Sequence, residues 1–268
     1  MGGANLADQN NKLLVIHNNL EKLLDSKREA MPRSFNKTRF LQNSMTVLQE
    51  TKDIELCNPT SVARTMLKGA FLGLDFFNKE CYAVVYKGSV EFQTDYKGEV
   101  KLVKKYSTIP VRQVYAKLVR EGDEFAEEVI SGNQTIYFKP KPFNNREILG
   151  AFAVVNYMDG TMAYDTMSKE EIEKIKENFS RKSKQTGEYS KAWVVTPGEM
   201  YKKTVLRRLC KNIDLDFDTI EQQQAFEDAA DMDFNQEIKP QQQSPLNTNA
   251  VVVDGEYEEV NENEAEQT

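Results

Sequence analysis

Between Leu72 and Lys117 the sequence changes its repeat twice, and this stretch most constrains the fold. Residues 82–86 (YAVVY) and 90–94 (VEFQT) are short β-rich runs, and Lys87-Gly88-Ser89 between them supplies a tight turn. Lys97, Lys101, Lys104 and Lys105 follow at i, i+4, i+7 and i+8, which places them on one face of a helix. Val100, Val103 and Tyr106 fall on another face and can pack inward. After Pro110, residues 111–119 (VRQVYAKLV) read as a third strand. The stretch therefore predicts a sheet that carries a basic helix. Ammonium groups beside aromatic rings suit a nucleic-acid backbone, where cations meet phosphates and ring faces meet bases.

The flanking segments extend the pattern. Leu13, Ile16, Leu20, Leu23 and Leu24 give helical spacing over 12–24. Asn36 caps a second helix over 37–50, and Asn58-Pro59 opens a third that ends near Gly73. Residues 121–124 (EGDE) read as a turn and 135–138 (TIYF) as a strand. Residues 148–157 and 161–166 form a hairpin about Asp159-Gly160. Ser168 with Glu171, and Thr196 with Glu199, are capping boxes opening two more helices. Between these helices, 180–190 is a polar loop with Arg181, Lys182 and Lys184 available to a ligand. The fold class is α+β: a helical N-terminal part, a central antiparallel β-sheet with packed basic helices, and a disordered acidic C-terminal tail. The expected domains are an N-terminal helix and arm (1–30) for oligomer contacts, a core (31–213), and a tail (214–268) for partner contacts.

Charge sharpens the reading. The net charge of −7 conceals an asymmetry. From Asp214 onward there are sixteen acidic residues against Lys239 alone, a charge of −15, which leaves +8 on the rest. An acidic tail on a basic body is a frequent layout among nucleic-acid binders. The helix over 197–213 is two-faced, with Val205, Leu206, Leu209, Cys210 and Ile213 opposite Lys203, Arg207, Arg208 and Lys211. Four neighbouring cations repel one another unless an anion neutralises them, which points to phosphate. Lys202 lies on the apolar side, with no role evident in the sequence.

Catalytic chemistry is sparse. His17 is the only histidine, so His-based triads are excluded. No G-x-x-x-x-G-K-[ST] and no G-x-G-x-x-G motif occurs. Cys57, Cys81 and Cys210 have neither metal-site nor disulfide-framework spacing and read as reduced, buried thiols. No apolar run is long enough to cross a membrane, and the expected location is the cytoplasm.

Several short features, in order, resemble the RecT family of phage and prophage single-strand annealing proteins. They begin with Met31-Pro32, Arg39-Phe40 and Ser61, then Gly73-Leu74, Tyr82, Tyr86 and Tyr96-Lys97-Gly98. Val114-Tyr115, the 121–125 run (EGDEF), Gly150-Ala151 and Ala153 follow, and Trp193, Met200, Lys203-Thr204 and Arg207 close the series. Leu118 to Arg120 lengthen the spacing between Val114-Tyr115 and Asp123 relative to the family pattern. The resemblance implies an ATP-independent, non-enzymatic protein that binds and anneals single-stranded DNA in recombination of phage DNA. It further implies a ring or helical filament, a partner exonuclease or host single-strand-binding protein reached through the tail, and a bacterial host cytoplasm. No cofactor is expected, with Mg²⁺ at most a modulator. The expected DNA contacts are Lys97, Lys101, Lys104, Lys105, Arg112, Lys117, Lys203, Arg207, Arg208 and Lys211, with adjacent subunits lining up the lysine face and the 203–211 face into one groove. Phe92, Tyr96 and Trp193 are the stacking candidates. The competing reading is a protective coat for single strands that does not anneal.

Overall fold

The computed structural model describes residues 3–86, 88–130, 132–180, 182 and 186–234. Its front third is helical. α1 (Gly3–Ser26) starts earlier than its apolar periodicity indicates and buries Leu13, Ile16, Leu20 and Leu24. It packs on the later helices as part of the body. α2 (Lys37–Glu50) begins at Asn36, whose side chain accepts the Arg39 N–H at 2.9 Å. α3 (Pro59–Leu72) begins at Asn58, which accepts from the N–H groups of Thr60 and Ser61. It stops at Gly73, whose φ of 66° is a left-handed conformation that only glycine adopts without strain.

β1 (Cys81–Tyr86) and β2 (Ser89–Thr94) pair antiparallel, with Cys81 opposite Thr94 and Tyr86 opposite Ser89. Lys87, in their expected turn, lies outside the described residues. This hairpin forms a sheet of its own, one of three antiparallel sheets among the described residues. It packs on α3, where the Thr65 hydroxyl donates to the Val90 carbonyl at 3.0 Å.

α4 (Tyr96–Tyr106) comes next and serves two cores. Leu102 and Tyr106 join the core built from α1, α2, α3 and the first hairpin. Val103 joins a second core on the far side. That second core lies on a three-stranded antiparallel sheet of β3 (Val111–Arg120), β6 (Ile148–Tyr157) and β7 (Met162–Ser168), with β6 central. Register places Val114, Ala116 and Leu118 beside Val155, Ala153 and Ala151 on one face. α5 (Lys169–Phe179), α6 (Lys191–Val195) and α7 (Pro197–Lys211) contribute Ile172, Trp193, Val205 and Leu209 to the same core. On the opposite face, Phe152 meets Phe125 at 5.4 Å and Phe138 at 4.9 Å. These two rings belong to the hairpin of β4 (Glu124–Ile130) and β5 (Asn133–Lys139). β6 is thus covered on both faces, which explains its near-continuous apolar run.

Three sequence expectations change. β4 goes unread in the sequence because only part of EFAEEVI is apolar and much of that strand faces solvent. The Ser168 capping box forms in full, whereas Thr196 does not cap α7. The Thr196 hydroxyl instead donates to the Ala192 carbonyl at 3.1 Å, because α6 ends where α7 begins. The body also continues past residue 213. α8 (Ile220–Phe234) buries Ala225 and Ala229 in the first core, and the Gln222 amide donates to the Ala30 carbonyl at 3.1 Å. Eight of the sixteen acidic residues therefore sit on the described body. The expected tail, 214–268, thus contains a helix in its first part, and its residues beyond 234 lie outside the described residues.

All three cysteines are buried, and burial pushes each thiol pKa up. Among the described residues no helix is long and apolar enough to cross a membrane.

Gly98 marks the tightest approach. A methyl there would overlap the Glu80 carbonyl oxygen, which accepts the Asp95 N–H at 2.9 Å. Gly98→Ala is expected to lower stability by about 1–3 kcal/mol. In urea unfolding the midpoint should fall with the slope unchanged, and an unmoved midpoint would refute the close packing.

Candidate nucleic-acid interface

The lysine face of α4 forms as its spacing predicts, with Lys97, Lys101, Lys104 and Lys105 all exposed. The four differ in what they meet. Lys101 donates to the Gly73 carbonyl at 2.8 Å and pairs with Glu80 at 2.7 Å. It thereby places a cation at the C-terminal end of α3, where the helix dipole favours one. Lys105 donates to the Tyr106 hydroxyl at 2.7 Å, and its ammonium lies 4.4 Å from the Tyr106 ring centre. Partial burial pulls the Lys105 pKa down. Lys97 and Lys104 meet no carboxylate among the described residues. Beside Lys101 and Lys105 lies a cleft of about 230 Å³ that Pro32, Phe35, Arg39 and Phe40 help to line.

The α7 cations form where expected but are engaged inside the protein. Arg207 reaches Glu99 at 3.2 Å and the Thr94 carbonyl at 3.1 Å. Arg208 grips both oxygens of Asp165 at 2.6 and 2.7 Å, the two-point geometry that guanidinium favours, and also the Thr166 carbonyl at 2.6 Å. The Asp165 contact raises the Arg208 pKa. Lys203 reaches Asp95 at 3.3 Å and lies 5.6 Å from the Tyr96 ring centre. Lys211 is half-buried. The expected repulsion along α7 is therefore relieved by the protein's own carboxylates, which corrects the inference that an external anion is needed. Lys202 pairs with Glu199 at 2.7 Å, which supplies the role its sequence position left open.

Within one chain the two cation sets face apart. Asp95 and Glu99 are 5 % and 0 % exposed, and α7 packs on the side of α4 that carries them. The lysines project from the opposite side of α4. One Asp95 oxygen accepts from the Tyr82 hydroxyl at 2.9 Å. The second oxygens of Asp95 and Glu99 have no partner among the described residues. Sequence reading did not pair these carboxylates with the α7 cations, because more than a hundred residues separate them in the chain. Their i, i+4 spacing, with Glu99 opposite Lys97 and Lys101 on the wheel, was the available signal.

The remaining candidates separate by exposure. Arg112 and Lys117 are exposed on β3; Arg112 sits at an irregularity in the strand register, and Lys117 pairs across from Phe152. Phe92 is 3 % exposed and Trp193 is 7 % exposed. Both rings are core, since Phe92 packs on Phe76 and Trp193 on Tyr201, so neither offers a free face for stacking. Tyr96 is half-buried. In the 180–190 loop, Lys182 lies 4.8 Å from the Tyr189 ring centre, while Arg181 and Lys184 lie outside the described residues.

An α+β body with an outward row of lysines on one helix has the make-up of a polyanion-binding protein. A profile of the RecT family matches residues 38–243, from α2 through α8 and beyond. No curated protein sequence matches the chain. The chain belongs to the RecT family, whose members are single-strand annealing recombination proteins that bind single-stranded DNA and are not enzymes.

Breaking a buried charge pair from one side typically costs about 3–5 kcal/mol. Arg207→Met is expected to lower stability by about that amount, and adding Glu99→Gln to recover much of it. Chemical denaturation of the single and double variants tests this. A stable Arg207→Met protein with weakened DNA binding would instead make Arg207 a direct contact.

Proposed function

We propose that this chain anneals complementary single strands without ATP during recombination of phage or prophage DNA, and that the outer face of α4 grips the strand backbone. The observation that carries this reading is the exposure of Lys97 and Lys104, which meet no carboxylate among the described residues, in a chain of a single-strand-annealing family. Lys101 and Lys105 flank them, and Arg112 and Lys117 supply exposed cations on β3. Arg207, Arg208 and Lys203 serve chiefly to hold α7 against α4 and β7. Backbone contacts of this kind leave base edges readable, so an incoming strand can test its pairing. Base stacking, about 1.4 kcal/mol per step, supplies the driving free energy. This agrees with the absence of a P-loop motif in the sequence.

The protein acts as an oligomer in this reading, as a ring or filament. Leu14 and Val15 on α1 and the nearby Leu56 are exposed apolar side chains suited to subunit contact. Residues 235–268 carry eight acidic residues against Lys239 and recruit a partner, an exonuclease or a host single-strand-binding protein. The setting is a bacterial host cytoplasm.

Lys97→Ala with Lys104→Ala is expected to weaken single-strand binding and to reduce the salt slope by about 1.4, since each lost phosphate contact removes about 0.7 on single strands. Unfolding temperature should stay unchanged because both side chains are exposed. Binding measured across a salt series decides the point, and an unaltered slope would remove α4 from the interface. In a mixing assay of two labelled complementary oligonucleotides without ATP, the protein should speed pairing, whereas a coat would slow it. Truncation after Gln236 should leave that rate intact while reducing recombination in cells. Loss of annealing in vitro would contradict a separate partner role for the tail.

A further inference from the structure

The loop from residue 140 to 147, between β5 and β6, presents Phe143 with 99 % of its surface exposed. The next most exposed large apolar side chain among the described residues reaches only 72 %. The ring does not hang from a slack segment. One Asp123 oxygen accepts from the Lys141 N–H at 2.9 Å and the Asn144 amide at 2.8 Å. The other accepts the Arg120 N–H at 2.9 Å. Asn144 accepts the Arg146 N–H at 3.1 Å, and the Arg120 guanidinium donates to the Arg146 carbonyl at 2.6 Å.

This scaffold holds Phe143 at a φ of 54°, a left-handed backbone that costs an L-residue about 1–2 kcal/mol. The exposed ring gains no burial in return. Both costs go unrewarded within the chain, so the ring's complement lies outside it. The surroundings indicate which complement. Lys141, Asn145 and Arg146 in the same loop are exposed and polar, and the exposed apolar neighbours of the ring are the small side chains of Pro140 and Pro142, so the ring stands among cations and amides rather than in a broad apolar face. Lys141 meets no carboxylate among the described residues. A lone aromatic face with an adjoining ammonium matches a nucleobase and its phosphate.

We propose that Phe143 stacks on a base of the bound single strand, with Lys141 at the neighbouring phosphate. This rests on the annealing reading above. Stacking uses the face of the base and leaves its pairing edge open to the second strand.

The test compares full-length Phe143→Gly and Phe143→Trp with the wild type. Binding is measured on a labelled oligothymidine and on an abasic oligonucleotide of equal length. Phe143→Gly should lose about tenfold in affinity for the oligothymidine, as removal of one stacked base predicts, and nothing for the abasic strand. Its unfolding temperature should equal or exceed the wild type's, because glycine suits the positive φ. Phe143→Trp should keep wild-type affinity, and its added emission should be quenched on binding. Equal affinity of Phe143→Gly and wild type for the oligothymidine would overturn the proposal, as would equal losses on both strands. Smaller DNA-free assemblies with unchanged affinity would assign the ring to a second copy of the chain and also overturn it. Wild-type annealing in the same preparation separates these outcomes from failure of the wider reading, which would appear as no acceleration by any of the three proteins.

Discussion

The structure depends on α4 being gripped from two sides. Leu102 and Tyr106 anchor it in the helical core, and Val103 anchors it over the three-stranded sheet. Glu99, fully buried, ties it to α7 through Arg207. With those faces used, the only face left to solvent is the lysine face. The geometry that joins the two cores also determines where positive charge is displayed. Carboxylates with unsatisfied oxygens are costly to bury, and they persist here because Arg207 and Lys203 offset them.

This arrangement changes how the protein's electrostatics should be viewed. Residues 1–234 hold thirty-four Lys+Arg and thirty-four Asp+Glu, so this part of the chain is formally neutral. Attraction for a polyanion cannot come from bulk charge and must come from segregation. Acids are drawn to the α4–α7 seam and to α8, while Lys97 and Lys104 remain outside. Such a surface attracts a backbone at short range, within roughly a Debye length of 8–10 Å.

Much of this architecture was legible in the sequence because local chemistry dictates it. Asn36, Asn58 and Ser168 each cap the helix that their side chains imply, and Gly73 ends α3. The α4 wheel was legible because its spacing is strictly helical. What stayed hidden depends on tertiary partners. β4 went unread because its apolar residues make sense only against Phe138 and Phe152. Thr196 looked like a cap because the sequence does not reveal that α6 occupies the preceding turn. The α7 cations looked free because Glu99 and Asp165 lie far from them in sequence. Phe92 and Trp193 looked available because an aromatic residue's composition does not tell a core ring from a surface one. Phe143 drew no notice for the converse reason, since its exposure follows from hydrogen bonds that Asp123 and Asn144 make across a loop.

The buried thiols have a practical corollary. Cys57, Cys81 and Cys210 are shielded from solvent and disfavour the thiolate, the form that reacts with electrophiles. The folded protein should therefore be nearly silent to maleimide dyes at neutral pH. A single cysteine engineered onto the outer surface could be tagged without first stripping out the native ones, which leaves the interior packing untouched in any spectroscopic study of strand pairing.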